Sequence, residues 1–356
     1  MVFSLIRNGL KMERKRVIYF DMLRIVAIIG VIQIHITAEF WFTTDIHSFE
    51  WNVYNVYDSL ARFAVPIFVM LSGAFMLDPN YPLSISKLYK KKILHLVTAF
   101  FFWSAIYSIY GYLRHQYNLK IALINLLKGP LHLWFLFMIV GLYLITPILR
   151  EMIKNKFVTE YFLILSFIFT FFLQSLLTED FVYIDELNAY INQLHFYFTL
   201  GYVPYFVAGY YLKNTEIDTK KEFIIYLLAG AALLSIIFLT RMLSFRTGTA
   251  NERYYSYLSL NVFMVSIAVF VLFKNQISKI DFSEKTEKVT CALSQNSFGI
   301  YLVHYFISKR FSDIGFTSRS FNPIFSIPVK TITIFIISLI ISMIIHRIPF
   351  LKKWVV

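Results

Sequence analysis

The stretch that decides the fold is YFDMLRIVAIIGVIQIHITAEF, residues 19–40. It is mostly apolar and long enough to cross a bilayer, which takes roughly 20 helical residues. It also carries four ionisable side chains, Asp21, Arg24, His35 and Glu39. A charged side chain near the bilayer centre costs about 2.5 to 3.5 kcal/mol on insertion scales. We therefore expect these groups to face a protein interior or a wet cavity and not lipid.

The composition of the 356-residue chain also indicates a membrane protein. Hydrophobic residues make up 58% of it and charged residues 15%, whereas soluble domains have about 25% charged residues. Apolar windows predict about ten transmembrane helices, at 17–42, 53–77, 93–113, 132–149, 157–177, 191–212, 223–243, 255–273, 289–307 and 324–345. The expected fold is an all-α polytopic bundle that forms one domain over residues 1–356.

The distribution of charge predicts the orientation. The formal net charge of +13 would suggest nucleic acid in a soluble chain, but in a polytopic chain it indicates Lys and Arg kept on the cytoplasmic side. Basic segments fall in alternate loops, at 11–16, 86–92, 150–156, 213–221, 274–288 and 346–354. Some loops on the other side are also basic, so the rule is obeyed imperfectly. We predict that both termini are cytoplasmic and that nucleic acid is not a partner.

The first span leaves two interpretations open. On a helix, Arg24 and His35 are about three turns apart, roughly 16 Å along the axis and almost on one face, with Glu39 one turn further. In one interpretation, Asp21 pairs with Arg24, and His35 is a packing histidine bonded to Glu39. In the other, His35 is a general base and Glu39 orients its ring.

Other polar groups also fall inside the predicted spans. Asp58 and Arg62 lie four residues apart and are expected to pair on one helix face. His132, His195 and His304 are predicted at the same depth as the first-span histidine. Histidines scattered over four helices match no metal-ligand spacing, so no metal is predicted. The sequence has no P-loop, GxSxG elbow or GxGxxG turn, so nucleotide hydrolysis and serine-hydrolase chemistry have no support.

Four ordered motifs resemble the signatures of the membrane acyltransferase 3 family. They are RIVAIIGVIQIH (24–35), RFAVPIFVMLSG (62–73), HLWFLFMIVGLYLITPIL (132–149) and SFGIYLVH (297–304). The resemblance covers nearly the whole chain. It is nearest to the surface-polysaccharide O-acetyltransferases, the subgroup of the enterobacterial common antigen O-acetyltransferase, and no appended soluble domain is expected.

This resemblance implies an activity and its partners. Family members take an acyl group, usually acetyl from cytoplasmic acetyl-CoA, and move it to hydroxyls of a cell-surface or lipid-linked glycan. The implied protein is an O-acetyltransferase of the bacterial cytoplasmic membrane with acetyl-CoA as donor and no tightly bound cofactor. Its partners would be acetyl-CoA, the glycan acceptor and the lipid bilayer, and a homo-oligomer is compatible with this.

The resemblance also assigns residues. Arg24 and His35 match the family's first-helix pair, and Arg62 matches its second-helix arginine. Lys90, Lys91 and Lys92 lie where the family has a basic cluster, so the lysines and Arg24 are expected to bind the donor. Catalysis is expected from His35 with Arg24, to which the helical spacing adds Glu39, and an acetyl-His35 intermediate is the covalent variant. From predicted depth and motif position, acceptor-binding or structural roles are expected for Asp58, Arg62, His132, Trp134 and His304.

Two other classes of protein remain open on the sequence alone. Buried ionisable groups are common in transporters, so a polytopic exporter of a surface-polysaccharide precursor is the main alternative. Transporters often consist of related halves with broken helices, and no such repeat is seen in the sequence. A non-catalytic assembly component of a surface-polymer system is the second alternative.

Overall fold

A computed structural model describes residues 17–177, 193 and 201–356. Within these ranges the chain forms helices and no strand. The main helices are α1 (Ile18–Thr37), α2 (Phe49–Ala61), α3 (Ala64–Met76), α4 (Leu94–Leu113), α5 (Leu119–Lys128), α6 (Trp134–Met152), α7 (Lys156–Ser166), α8 (Val203–Asn214), α9 (Thr219–Thr247), α10 (Leu260–Asn275), α11 (Glu284–Gln295), α12 (Ser297–Asp313), α13 (Pro323–Arg347) and α14 (Pro349–Trp354). A 3-10 turn (Ala38–Phe40) follows α1, and a π-helical turn (Leu88–Ile93) leads into α4.

Eight helical segments of the described chain are long and apolar enough to cross a membrane. They are Ile18–Phe40, Phe49–Met76, Ile85–Leu113, Leu119–Met152, Lys156–Leu177, Thr219–Thr247, Arg253–Lys279 and Pro323–Arg347. The predicted all-α polytopic class is therefore confirmed, and the chain is a multi-pass membrane protein.

The predicted number of spans and the predicted orientation are not settled by these segments. Two of the ten predicted spans coincide with shorter helices, α8 with 12 residues and α12 with 17. The basic segment 11–16, the acidic loop 178–190 and most of 191–200, including His195, lie outside the described residues. The count of ten and the cytoplasmic termini stay predictions.

Helix α1 is the central element of the bundle. It packs against α2, α3, α10, α11, α12 and α13. Most of its side chains are buried, as expected for a helix that is apolar around its whole circumference. The polar side chains of α1 therefore lie among neighbouring helices, as the cost of charge in lipid requires.

The second predicted span is broken between α2 and α3, at Arg62 and Phe63. Pro66 has no amide hydrogen, so the carbonyl of Arg62 lacks the partner that a continuous helix would give it. Non-helical backbone at membrane depth is tolerated where protein surrounds it, and the Arg62 side chain is largely buried. The break therefore places an arginine inside the bundle.

Two glycines allow α3 and α8 to pack with their backbones in close contact. A Cβ atom added to Gly73 would collide with the main-chain carbonyl of Phe206, and one added to Gly209 would collide with that of Met70. Small residues at such crossings let membrane helices gain van der Waals contact along their backbones. The α3–α8 pair is thus one of the tightest contacts in the fold.

Replacing Gly209 with leucine is expected to destabilise the bundle, because main chain cannot move aside as a flexible side chain can. Overpacking costs typically about 1 to 3 kcal/mol and occasionally more. The midpoint of thermal unfolding in detergent measures this loss. Gly230 on α9 is the matched control, because nothing lies within 4 Å of its added Cβ. Equal midpoints for Gly209→Leu and Gly230→Leu would contradict the tight crossing.

One end of the bundle, where α3 and α6 terminate, is held by cations, and we call it the basic end. Arg150 donates hydrogen bonds at 2.9, 2.5 and 2.6 Å to the carbonyls of Met76, Asp78 and Tyr81. Lys213 pairs with the Asp78 carboxylate at 2.6 Å. Met76 is the last residue of α3, and the last carbonyls of a helix have no intrahelical partner and carry partial negative charge, so Arg150 caps this helix end.

Candidate active site

Three histidines from three helices lie together in the interior. His35 is on α1, His132 lies in the 3-10 turn that leads into α6, and His304 is on α12. Their ring centroids are 5.2 Å apart for His35 and His304, 5.4 Å for His132 and His304, and 6.2 Å for His35 and His132. We call this group the histidine cluster. It joins three of the four histidines that the sequence placed at one depth.

Three tyrosines form a wall around the histidine cluster. The ring of Tyr305 is 4.9 Å from that of His132 and 5.4 Å from that of His35, and Tyr107 is 5.2 Å from His132. The Tyr301 hydroxyl donates to the main-chain carbonyl of His132. These rings hold the imidazoles in place and limit the access of water to them.

Sequence reasoning missed these tyrosines. Two of them were visible beside His304, because Tyr301 lies three residues before it in the last motif and Tyr305 directly follows that motif. Tyr107 carries no such signal, because it comes from α4, where many aromatic residues occur.

The side chains of the cluster differ in burial and hydrogen bonding. His132 and His304 are buried and His35 is half-buried. His304 Nδ1 lies 2.6 Å from the carbonyl oxygen of Tyr301. His304 Nε2 and both ring nitrogens of His132 are buried without a hydrogen-bond partner in the described structure. The cluster therefore contains polar ring nitrogens that are still available for hydrogen bonding.

Glu39 does not contact the ring that it was predicted to orient. Its carboxylate lies 2.9 Å from the ammonium of Lys330 and accepts a hydrogen bond from the Ser312 hydroxyl. Among the described residues, no hydrogen bond joins Glu39 to His35. Helix α1 ends two residues before Glu39, in a 3-10 turn that changes the angular position expected from α-helical spacing. The fully buried Lys330 also requires a counter-ion.

Asp58 and Arg62 form the ion pair that their spacing predicted. The Arg62 Nε lies 2.7 Å from the Asp58 carboxylate, and both side chains are largely buried. The guanidinium lies 4.2 Å from the ring centroid of Tyr255 and 5.8 Å from that of Tyr257. Trp134 stacks near Tyr257, with 6.2 Å between the centroids. The Asp58–Arg62 pair and Trp134 are thus linked through the rings of Tyr255 and Tyr257, beside the break between α2 and α3.

Arg24 lies toward the basic end of α1. It pairs with Asp21 at 3.4 Å, and its guanidinium lies 5.1 Å from the Phe75 ring. Asp21 also accepts a hydrogen bond from Ser294 at 2.6 Å. The local pair of the first interpretation is therefore present. About a quarter of the Arg24 side chain, 26%, is exposed.

The three lysines predicted to bind the donor lie on the π-helical turn Leu88–Ile93. Lys90 and Lys91 are exposed. The ammonium of Lys92 lies 5.8 Å from the ring centroid of Tyr81. The Tyr81 carbonyl accepts a hydrogen bond from Arg150 at the basic end. Rare π-helical turns occur frequently at functional sites. The structure thus puts the lysines at the same end as Arg24.

The described part of the chain contains no group of three or more His, Cys, Asp or Glu side chains arranged to hold a metal ion. The absence of a metal nevertheless stays a prediction. The chemistry that the cluster supports is proton transfer, because an imidazole can accept a proton from a reacting hydroxyl and return it to a leaving group.

The fold and the site together define a multi-pass membrane protein with buried histidines in the bundle and cations at one end. The model of the acyltransferase 3 family, described as an acyltransferase domain, matches residues 17–347. The chain belongs to this family and is a membrane acyltransferase. Comparisons with curated proteins and with solved structures found no match. The O-acetyltransferase subgroup, the donor and the acceptor stay predictions.

Proposed function

We propose that this membrane acyltransferase moves acetyl from cytoplasmic acetyl-CoA to a hydroxyl of a cell-surface or lipid-linked glycan. The observation that carries the proposal is the histidine cluster around His35. A hydroxyl must lose its proton as it attacks a thioester, and a neutral imidazole is a suitable base. Family membership supports acyl transfer. The choice of acetyl, of a glycan and of a bacterial cytoplasmic membrane rests on the motif resemblance.

In this proposal the donor binds at the basic end. Coenzyme A carries phosphates, for which ammonium and guanidinium groups are suitable partners. Lys90 and Lys91 are exposed there, and Arg24 is partly exposed on α1. The pantetheine arm would then extend along α1 toward His35, which lies 11 residues further on the same helix.

The proposed chemical step uses His35 as the base. His35 takes the proton as the acceptor O–H bond breaks, and the oxygen forms a bond to the acetyl carbon. The C–S bond then breaks, and the thiolate leaves as the thiol after it takes the proton from His35. In the covalent variant, a His35 nitrogen first takes the acetyl group and the glycan hydroxyl then displaces it.

The lysines provide a test of the donor site. We expect Lys90→Ala with Lys91→Ala to raise the KM for acetyl-CoA by about tenfold, since the loss of two charged contacts costs at least ~1.4 kcal/mol. The kcat should change little, because neither lysine is near the histidine cluster. Steady-state kinetics with labelled acetyl-CoA measures both constants. Lys285→Ala with Lys288→Ala, two exposed lysines on α11, is the matched control, and an equal rise there would exclude a specific donor site.

Reconstitution tests the proposed function as a whole. Purified protein in liposomes is given acetyl-CoA labelled in the acetyl group together with candidate glycans. Label recovered in the glycan supports the acetyltransferase. Movement of the glycan across the bilayer without acylation supports the exporter, and label transferred to another class of acceptor corrects the substrate.

A further inference from the structure

The partner of His35 is not the one that the sequence predicted. Glu39, the expected carboxylate, is bound to Lys330 and Ser312. Within the described part of the chain, no hydrogen bond reaches the His35 ring. A base that becomes an imidazolium inside the bundle still needs a group to accept its second N–H and to hold the ring in one orientation.

The contacts of His304 determine which of its nitrogens can accept a hydrogen bond. A carbonyl oxygen only accepts, so the 2.6 Å contact between His304 Nδ1 and the Tyr301 carbonyl assigns the proton to Nδ1. In the neutral ring, Nε2 then carries the lone pair. This nitrogen is buried and has no hydrogen-bond partner in the described structure. His304 is therefore an oriented acceptor with a free position.

The separation of the two rings suits a direct contact. A ring nitrogen lies roughly 1 Å from the ring centroid, so two imidazoles joined by a hydrogen bond of about 3 Å have centroids roughly 5 Å apart. The centroids of His35 and His304 are 5.2 Å apart. This separation leaves room for one His35 N–H to donate to the His304 lone pair when the half-buried His35 ring takes the matching orientation.

We propose that His304 is the positioning residue for His35. It takes the place of the carboxylate that commonly accepts the second N–H of a catalytic histidine. The inference rests on the proposed function. As the acceptor O–H bond breaks, one His35 nitrogen takes the proton, and the N–H on its other nitrogen donates to His304 Nε2. When the C–S bond breaks, His35 gives the proton to the departing sulfur. His304 keeps its own proton on Nδ1 throughout.

The other groups that face the pair fit this role. His132, Tyr107, Tyr301 and Tyr305 surround it from α4, α12 and the start of α6. None of the four is an anion that would compete for the His35 N–H. Two imidazolium ions this close would repel each other, so the cluster holds one added proton at a time.

Two amide substitutions separate the positioning role from simple packing. Glutamine at position 304 places an amide oxygen near the Nε2 position, whereas the shorter asparagine reaches only the Nδ1 position. With labelled acetyl-CoA and acceptor, we expect His304→Asn to lower kcat by about 10- to 100-fold, the usual loss when the partner that orients a functional histidine is removed, with the KM for acetyl-CoA unchanged. His304→Gln should recover most of this loss.

His346 provides the matched control. It is a half-buried histidine of α13 at the other end of the bundle, and its Nδ1 contacts the Ser342 carbonyl at 2.8 Å, the same local pattern as in His304. His346→Asn and His346→Gln should both keep wild-type kcat. If kcat falls in His346→Asn and recovers in His346→Gln, the difference between asparagine and glutamine reports only helix packing.

Failure of the positioning role of His304 and failure of the proposed function give different results. Full acetyl transfer by His35→Ala would overturn the function assigned to the cluster. Loss in His35→Ala, with equal kcat values for folded His304→Asn and His304→Gln, would overturn only the positioning role. If His304→Asn does not fold, His304→Gln decides alone, because turnover retained in it supports the proposal and turnover lost in a folded protein contradicts it.

Discussion

Replacing His35 with alanine is expected to abolish acetyl transfer. The substitution removes the proposed base, and a positioned general base contributes typically about 100- to 10,000-fold to a rate. Expression and membrane insertion should be intact, because His35 is half-buried and its ring makes no hydrogen bond to the described residues. The measurement is labelled acetyl recovered in glycan after incubation of purified protein with donor and acceptor.

The control for this loss is another histidine in the same protein. His346→Ala removes a half-buried imidazole from the basic end of α13 and should leave the rate unchanged. If His35→Ala acetylates glycan at the wild-type level, the catalytic assignment of His35 is wrong. Persisting activity of this kind would also remove the main support for the histidine cluster as the active site.

The same variant separates direct transfer from the covalent route. In the covalent route, wild-type protein given labelled acetyl-CoA without acceptor retains label after denaturation, and His35→Ala does not. In direct transfer neither protein retains label. Label on both proteins would place the acyl group on another residue.

The sequence predicted the depth of the polar residues but not how the helices face one another. His35, His132 and His304 are far apart in the chain, and hydropathy placed each at a similar level of its own span. Their contact depends on the order in which the helices pack and on the rotation of each helix about its axis. Helical periodicity describes one helix at a time, so it does not contain this information.

The break at Arg62 was foreseeable in part. Pro66 lies in the second predicted span, and proline inside a helix removes one backbone hydrogen bond. Hydropathy nevertheless treats residues 53–77 as one apolar window. The local pair of Asp58 and Arg62 followed from spacing alone because both partners are on one helix face. Its contacts with Tyr255 and Tyr257 required the packed structure.

The absence of the expected contact between Glu39 and His35 has two physical causes. The prediction extended α-helical geometry to residue 40, whereas the last turn is 3-10. It also left Lys330 out of account, although this lysine lies inside the predicted span at 324–345. A fully buried ammonium binds the nearest available carboxylate more strongly than a neutral imidazole would, and the packing of α13 beside α1 makes Glu39 that carboxylate.

Glu39→Gln and Lys330→Met are each expected to destabilise the bundle, and the double variant is expected to recover most of the loss. Breaking a buried pair by removing one partner costs about 3 to 5 kcal/mol, whereas replacing both charges is often neutral. Lys330 is 0% exposed and Glu39 16%, so water cannot compensate for a missing partner. The midpoint of thermal unfolding in detergent measures each change.

An exposed pair at the other end of the protein is the control. Lys154 and Glu151 are 2.7 Å apart, and their side chains are 62% and 71% exposed. Glu151→Gln should therefore shift the stability by less than about 1 kcal/mol. A shift as large as that of Glu39→Gln would mean that burial does not explain the effect.

Acetyl transfer by the double variant decides between the two roles of Glu39. If the carboxylate only balances the charge of Lys330, the double variant regains activity together with stability. If it orients His35, the double variant is stable but inactive, because the carboxylate that orients the ring is gone. The second result would restore the sequence-based assignment of Glu39 and would require the carboxylate to leave Lys330 when the substrates bind.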